Sequence, residues 1–226
     1  MRAPHRSILV LLLSIIGGGL ACAQPSTAPI IKPRMSDTVK LNVFADNWFK
    51  LYINGELIVI DSIEFMPHNV ISVDVLPTYP MTIAVMARDN ADAITGKEYN
   101  HTQIGDGGFI LKLGDDVVSN STWKAQCFFF GPMSGQDEVV KHLPIPADWF
   151  APDFDDSEWD AATAHAESRV RPPRVFQDYD FDGAEFIWTE DLDLHNTIIF
   201  RTTIERPGWK SRWHTGEPAR RIEDLE

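Results

Sequence analysis

From Val39 onward the chain sets short apolar runs between turn-forming residues, and the runs have the composition of β-strands. The clearest stretch is Phe49 to Ile60, where two β-rich segments flank Asn54-Gly55. That dipeptide accepts the positive φ angles of a type I′ turn, so a hairpin is predicted there. Further strands are expected at 70–75, 81–88, 108–113, 117–130 with breaks, and 196–205. Within 83–88 and 198–204 the apolar residues alternate poorly with polar ones, which predicts strands covered on both faces. No stretch repeats apolar residues convincingly at helical spacing, and the best candidate for a turn or two of helix is the Ala-rich segment from Asp156 to Ala166. Short strands at near-regular intervals with turn signals between them predict an all-β sandwich in a single domain, residues 39–205.

The two ends differ from this pattern. Arg2 and Arg6 precede an apolar run from Ile8 to Leu20, followed by Ala21-Cys22-Ala23. This is the form of a secretory signal peptide, residues 1–23. The run is shorter than the roughly 20 residues a membrane-crossing helix needs. Cleavage after Ala23 fits the small residues at 21 and 23 and gives a secreted or periplasmic protein. The alternative makes Cys22 the lipid-bearing residue of a membrane-anchored lipoprotein, although Gly19 stands where such a motif normally has an aliphatic residue. Residues 24–38 are rich in Pro, Ser and Thr and are expected to be a flexible linker. Residues 206–226 are expected to be a weakly ordered tail, unless Trp209 and Trp213 dock on the domain or on a partner.

Removing residues 1–23 leaves 18 Lys and Arg against 33 Asp and Glu, a net charge of −15. Nucleic acid is thereby a poor partner, because phosphate contacts need a basic stripe that this chain lacks before its tail. Only Cys127 then remains, so no intramolecular disulfide forms and the fold must rest on its core. Cys127 lies in Ala-Gln-Cys-Phe-Phe-Phe and reads as a small buried hydrophobe.

Read in order, Asp46-Asn47-Trp48 with Asn54-Gly55, Ile83-Ala84-Val85, Gly107-Gly108-Phe109-Ile110, Ser121-Thr122-Trp123-Lys124, Phe154-Asp155-Asp156-Ser157-Glu158-Trp159, Phe186-Ile187-Trp188 and Phe200-Arg201 form a distinctive series. The series resembles the galactose-binding-like jelly-roll modules attached to α-L-rhamnosidases and β-galactosidases, over about residues 41–205. The resemblance implies a jelly-roll β-sandwich that binds or supports; such modules usually precede a catalytic domain, and the hydrolase activity of those proteins is not expected to carry over. Trp123, Trp159 and Trp188 are expected to be core or edge-sealing residues. Asp155, Asp156 and Ser157 are expected to cap a turn.

The candidate ligand site follows from where loops of such a sandwich gather. Sugar recognition needs an aromatic face for the C–H side of a ring and Asn, Asp or Arg for its hydroxyls. Asp46, Asn47, Trp48, Asp89, Asn90, Tyr99 and His101 supply these groups, and glycan or another extracellular surface is the expected ligand. In the alternative, Asp46 and Asn47 end a strand, Trp48 seals the edge, and the domain serves structure or protein interaction. Asp178, Asp180 and Asp182, followed by Gly183, match the first half of an oxygen-rich calcium loop. The second half departs from it, since Thr189 stands at the twelfth position. No His or Cys spacing suggests zinc, and the many acids show no pattern that singles out a glycosidase pair.

Overall fold

The structure, a computed structural model, describes residues 30–63, 70–89, 105–115, 117–131 and 139–213. Its strands are β1 (Val39–Asp46), β2 (Trp48–Ile53), β3 (Glu56–Ile60), β4 (Ile71–Val75), β5 (Met81–Arg88), β6 (Gly108–Leu113) and β7 (Val117–Val118). There follow β8 (Lys124–Phe130), β9 (Lys141–His142), β10 (Asp160–Ala161), β11 (Thr163–His165), the single helical turn α1 (Glu167–Val170), β12 (Phe186–Trp188) and β13 (His195–Ile204). They form two antiparallel sheets. One runs β11-β12-β6-β1-β4 with β7 beside β6, and the other runs β10-β8-β13-β5-β2-β3 with β9 beside β8. The chain is thus an all-β sandwich, and among the described residues no helix is long and apolar enough to cross a membrane.

The predicted hairpin joins β2 to β3, with Asn54 at φ 50° and Gly55 at φ 82°. Asn54 does more than turn the chain. Its Oδ1 accepts from Thr82 N at 2.8 Å and its Nδ2 donates to Thr78 O at 3.1 Å, tying the hairpin to the start of β5. The inner core follows strand alternation: Leu41, Val43, Phe49, Leu51, Ile83, Val85, Phe109, Leu111, Ile198 and Phe200 pack between the sheets. Trp123 and Trp188 are buried there too, and each satisfies its indole N–H on a backbone carbonyl, Val118 O at 3.0 Å and His195 O at 2.8 Å.

The expected two-sided burial of 83–88 and 198–204 is present in β5 as far as Ala87 and in β13 as far as Arg201. Its cause is a second layer. Segment 143–159 crosses the outer face of the larger sheet and lays Trp149, Phe150 and Trp159 against Trp48, Ala84, Met86, Phe128 and Ile199. On the other outer face, Val170, Phe176 and Phe181 cover Phe44, Ile110 and Phe186. Gly108 permits that second cover, because a Cβ there would meet Val170 at 2.6 Å.

Arg201 fastens the first cover. It points out of the larger sheet yet is 1% exposed. Its Nε donates to Asp156 Oδ2 at 2.7 Å, its Nη1 to Trp149 O, and its Nη2 to Ala151 O at 3.1 Å. The guanidinium plane also lies 5.1 Å from the Phe154 ring centroid. Asp156 is therefore a counter-ion, whereas Asp155 caps the turn by accepting from Ser157 N at 3.0 Å. The helical turn expected within 156–166 is replaced by the short edge strands β10 and β11. The backbone of this stretch pairs with β8 and β12, and Ala162 N donates to Trp123 O at 2.8 Å, so sheet edges win over the local preference of alanine.

The tail as far as residue 213 lies against the domain. Trp209 packs edge-on against Tyr79 at 5.3 Å, and Arg212 pairs with Asp37 through Nε at 2.8 Å and through Nη2.

Two predictions follow from these contacts. Asp156→Ala strands a buried guanidinium without its counter-ion and should lower the unfolding free energy by about 3–5 kcal/mol, read by urea denaturation. The second concerns Asp37, whose carboxyl the Arg212 guanidinium holds down from 3.8 to about 2. A depressed folded value means that this clasp stabilises fully above the ordinary carboxylate range and is lost as pH falls through about 2. The indole signals of Trp209 and Trp213 in an NMR titration should accordingly be constant near neutrality and move only in that acid window.

Candidate functional site

Four strand ends meet at one pole of the sandwich, and they bring together the described part of the predicted ligand set. Trp48, Arg88 and Thr197 face one another across β2, β5 and β13. One residue further out, Asn47 N donates to Arg88 O at 2.6 Å and Asp89 N donates to Asn196 O at 2.9 Å. Asp46 lies opposite Gly108 in the other sheet, and Asp89 Oδ2 accepts from Gly105 N at 3.3 Å. Gly107 allows this approach, since a Cβ there would sit 2.9 Å from the Asp89 Cβ. Asn90, Tyr99 and His101 fall outside the described residues.

The residues that converge are covered. Asp46 is 5% exposed, Asn47 3%, Trp48 3% and Asp89 1%. Trp48 donates its indole N–H to Asp61 O at 2.9 Å and carries the Arg88 guanidinium 4.7 Å above its ring, so it packs as an anchor of the outer layer and presents no open ring face. Among the described residues, Asn47 Oδ1 and Asn196 Nδ2, both buried in this row, find no hydrogen-bond partner. Each such atom costs about 1–3 kcal/mol if it stays unpaired, which is why they mark a place where an added group gains most.

Beside Asn196 a cleft of about 200 Å³ opens between the start of β13, β8 and the 142–145 segment. Its walls include Arg88, Phe128, His142, Ile145, Asn196 and Thr197. The His142 ring stacks on Phe129 at 4.1 Å, and Ile145 is partly exposed at the surface. The β13 ladder is irregular here, with register shifts on both sides of Thr197. Sequence reading had no means of finding this set. Its members are scattered over more than a hundred residues, and only strand pairing and the fold-back of 143–159 bring them together.

Further round the same pole, Asp106 pairs with Arg171 at 2.8 Å and Asp193 with Arg169 at 2.9 Å. Burial raises the Asp106 carboxyl despite the cation beside it. Burial likewise lowers His195, whose Nδ1 lies 2.8 Å from Thr189 Oγ1. Cys127 is buried, and its thiol is pushed up to about 12, so it carries no thiolate near neutrality.

The acidic turn at 178–183 stands apart from this pole. Asp178 ends a 3₁₀ turn, Arg174–Asp178, and Asp180 Oδ1 accepts both Lys112 Nζ at 2.7 Å and Asp182 N at 2.9 Å. The Lys112 ammonium holds the Asp180 carboxyl below its ordinary value. Among the described residues no three His, Cys, Asp or Glu side chains converge as a cation site requires. No protein-family model, no curated protein and no solved structure matches the chain.

A calcium ion at this turn would compete with Lys112 for the same carboxylate oxygen. Lys112→Met should therefore enlarge any rise in thermal midpoint produced by millimolar calcium. Equal midpoints with calcium and with chelator, in parent and variant alike, would remove the turn as a calcium site.

Proposed function

We propose that the chain is an exported, non-catalytic glycan- or surface-binding module built on a jelly-roll sandwich of the galactose-binding-like kind. The observation that carries this reading is the pole where the predicted residues Asp46, Asn47, Trp48 and Asp89 meet. Next to it Asn196, whose Nδ2 finds no acceptor among the described residues, lines a cleft with both apolar and hydrogen-bonding walls. That mixture suits a sugar, whose ring offers an apolar face and whose hydroxyls need donors and acceptors. The size agrees as well, because a cavity of about 150 Å³ already holds a benzene ring. The ordered tryptophan and Asp-Asp-Ser motifs support the family-level part of the reading.

A second reading is favoured by a specific observation. Trp48 is closed off by Arg88 and by its bond to Asp61, as a residue kept for scaffold strength would be. On that reading the domain serves structure or protein interaction.

A glycan array probed with the purified chain, in calcium and in chelator, separates the two. The binding reading expects a specific signal that weakens at least tenfold in Ile145→Trp, which fills the cleft from its partly exposed rim, and in Tyr99→Ala. A silent array from well-folded protein would favour the scaffold reading, and turnover of a polysaccharide would replace both with an enzyme.

A further inference from the structure

The pole opposite the cleft has a different chemistry. Here β1 and β5 begin while β4 and β13 end, as the pairs Val39 with Val75 and Met81 with Ile204 show. The segment preceding β1 leaves Ile30 66% exposed, Ile31 44% and Met35 74%, and Leu76 just after β4 is 38% exposed. Next to them stands an aromatic group. Trp209 packs on Tyr79 at 5.3 Å and Trp213 lies 6.0 Å from Trp209. The ion pair between Arg212 and Asp37 joins the two segments, so they form one surface.

Charge sets this surface apart from the rest of the molecule. Residues 30–37 and 205–213 hold five cations, Lys32, Arg34, Arg206, Lys210 and Arg212, against two acids, Asp37 and Glu205; the strand ends of the same pole add Lys40, Glu56, Asp74 and Asp115, so the pole is close to neutral in a chain whose net charge is −13. Arg206 lies over the Tyr79 ring at 4.6 Å, and Lys32, Arg34 and Lys210 are exposed. Scattered exposed apolar residues are ordinary. A cluster of them beside two tryptophans, fringed with Lys and Arg on an otherwise acidic protein, is not.

We propose that this pole is a membrane-contact surface that docks on bilayers bearing anionic lipid headgroups. Indole and phenol rings favour the boundary between headgroup and hydrocarbon, being apolar in body and polar at one edge. The cations complement anionic headgroups, and the aliphatic side chains gain by leaving water. A lipid surface is favoured over a protein partner by the position of the surface along the chain. Ile30 follows Cys22 by eight residues, a reach of roughly 30 Å when extended, so a lipid on Cys22 would keep this pole near the membrane. The cleft pole would then face away from the bilayer. The proposal does not depend on what the cleft binds.

The test is co-sedimentation of the protein lacking its first 23 residues, so that no covalent anchor contributes. One vesicle is phosphatidylcholine alone and the other is phosphatidylcholine with phosphatidylglycerol in equal parts. The expected result is pelleting with the mixed vesicles only, weakening as salt is raised. The double variant Lys32→Glu with Lys210→Glu touches no packed side chain and should lower partitioning at least tenfold at unchanged thermal midpoint. Trp213→Ser should do the same. Failure of the parent protein to pellet with the mixed vesicles at low salt would overturn the proposal. So would equal pelleting on both vesicles, or self-association that Trp213→Ser abolishes without any vesicle binding.

Discussion

The fold depends most on the neutralisation of Arg201. A guanidinium at the outer face of a sheet would ordinarily reach for water, and here it is enclosed by a length of chain whose own carbonyls and one carboxylate take its donors. Burying a charge is tolerable only with a counter-ion and satisfied hydrogen bonds. Asp156 supplies the first, while Trp149 and Ala151 supply the second. Because these partners come from three points of one loop, the same interaction that satisfies Arg201 also fixes where Trp149, Phe150 and Trp159 lie. A strand residue thus determines the layer above it.

That cover explains the placement of the cleft. With the 143–159 segment laid over most of the larger sheet, its outer face opens where the cover begins, beside His142 and Ile145. The irregular start of β13 leaves Asn196 there with an amide donor that finds no acceptor among the described residues. The smaller sheet is closed in the same manner by Val170, Phe176 and Phe181. The central strands of both sheets are therefore packed on two sides, and the poles are left as the open ends of the sandwich. One pole carries buried polar groups and a ring-sized cleft, and the other carries half-buried aromatics, exposed aliphatic side chains and cations.

Several parts of this arrangement were legible along the chain. The Asn54-Gly55 hairpin is a local matter of allowed backbone angles, and the apolar runs of β5 and β13 announce burial on both faces. Trp123 and Trp188 behave as core residues whose indole N–H groups needed acceptors. The Ala-rich stretch 156–166, the best candidate for a turn or two of helix in a chain without convincing helical spacing, forms edge strands instead, because alanine content speaks for helix only when nothing else competes and here open sheet edges do. Asp156 looked like the turn-capping group that Asp155 is, since nothing near it in sequence betrays a partner 45 residues away. Trp48 looked like an available ring, and its accessibility was decided by Arg88 and the Asp61 carbonyl.

What the sequence determined by itself is therefore whatever depends on neighbours along the chain. This includes strand character, the turn, the two-sided burial of the central strands and the sign of the overall charge. Tertiary structure alone decided which residues share a surface. It set Asn196 beside His142, closed Trp48, gave Asp156 to Arg201 and brought Trp209 to Tyr79. The reason is physical: backbone preference and hydrophobic period act over a few residues, whereas pairing of strands and neutralisation of a buried charge act between segments that only the folded chain makes adjacent.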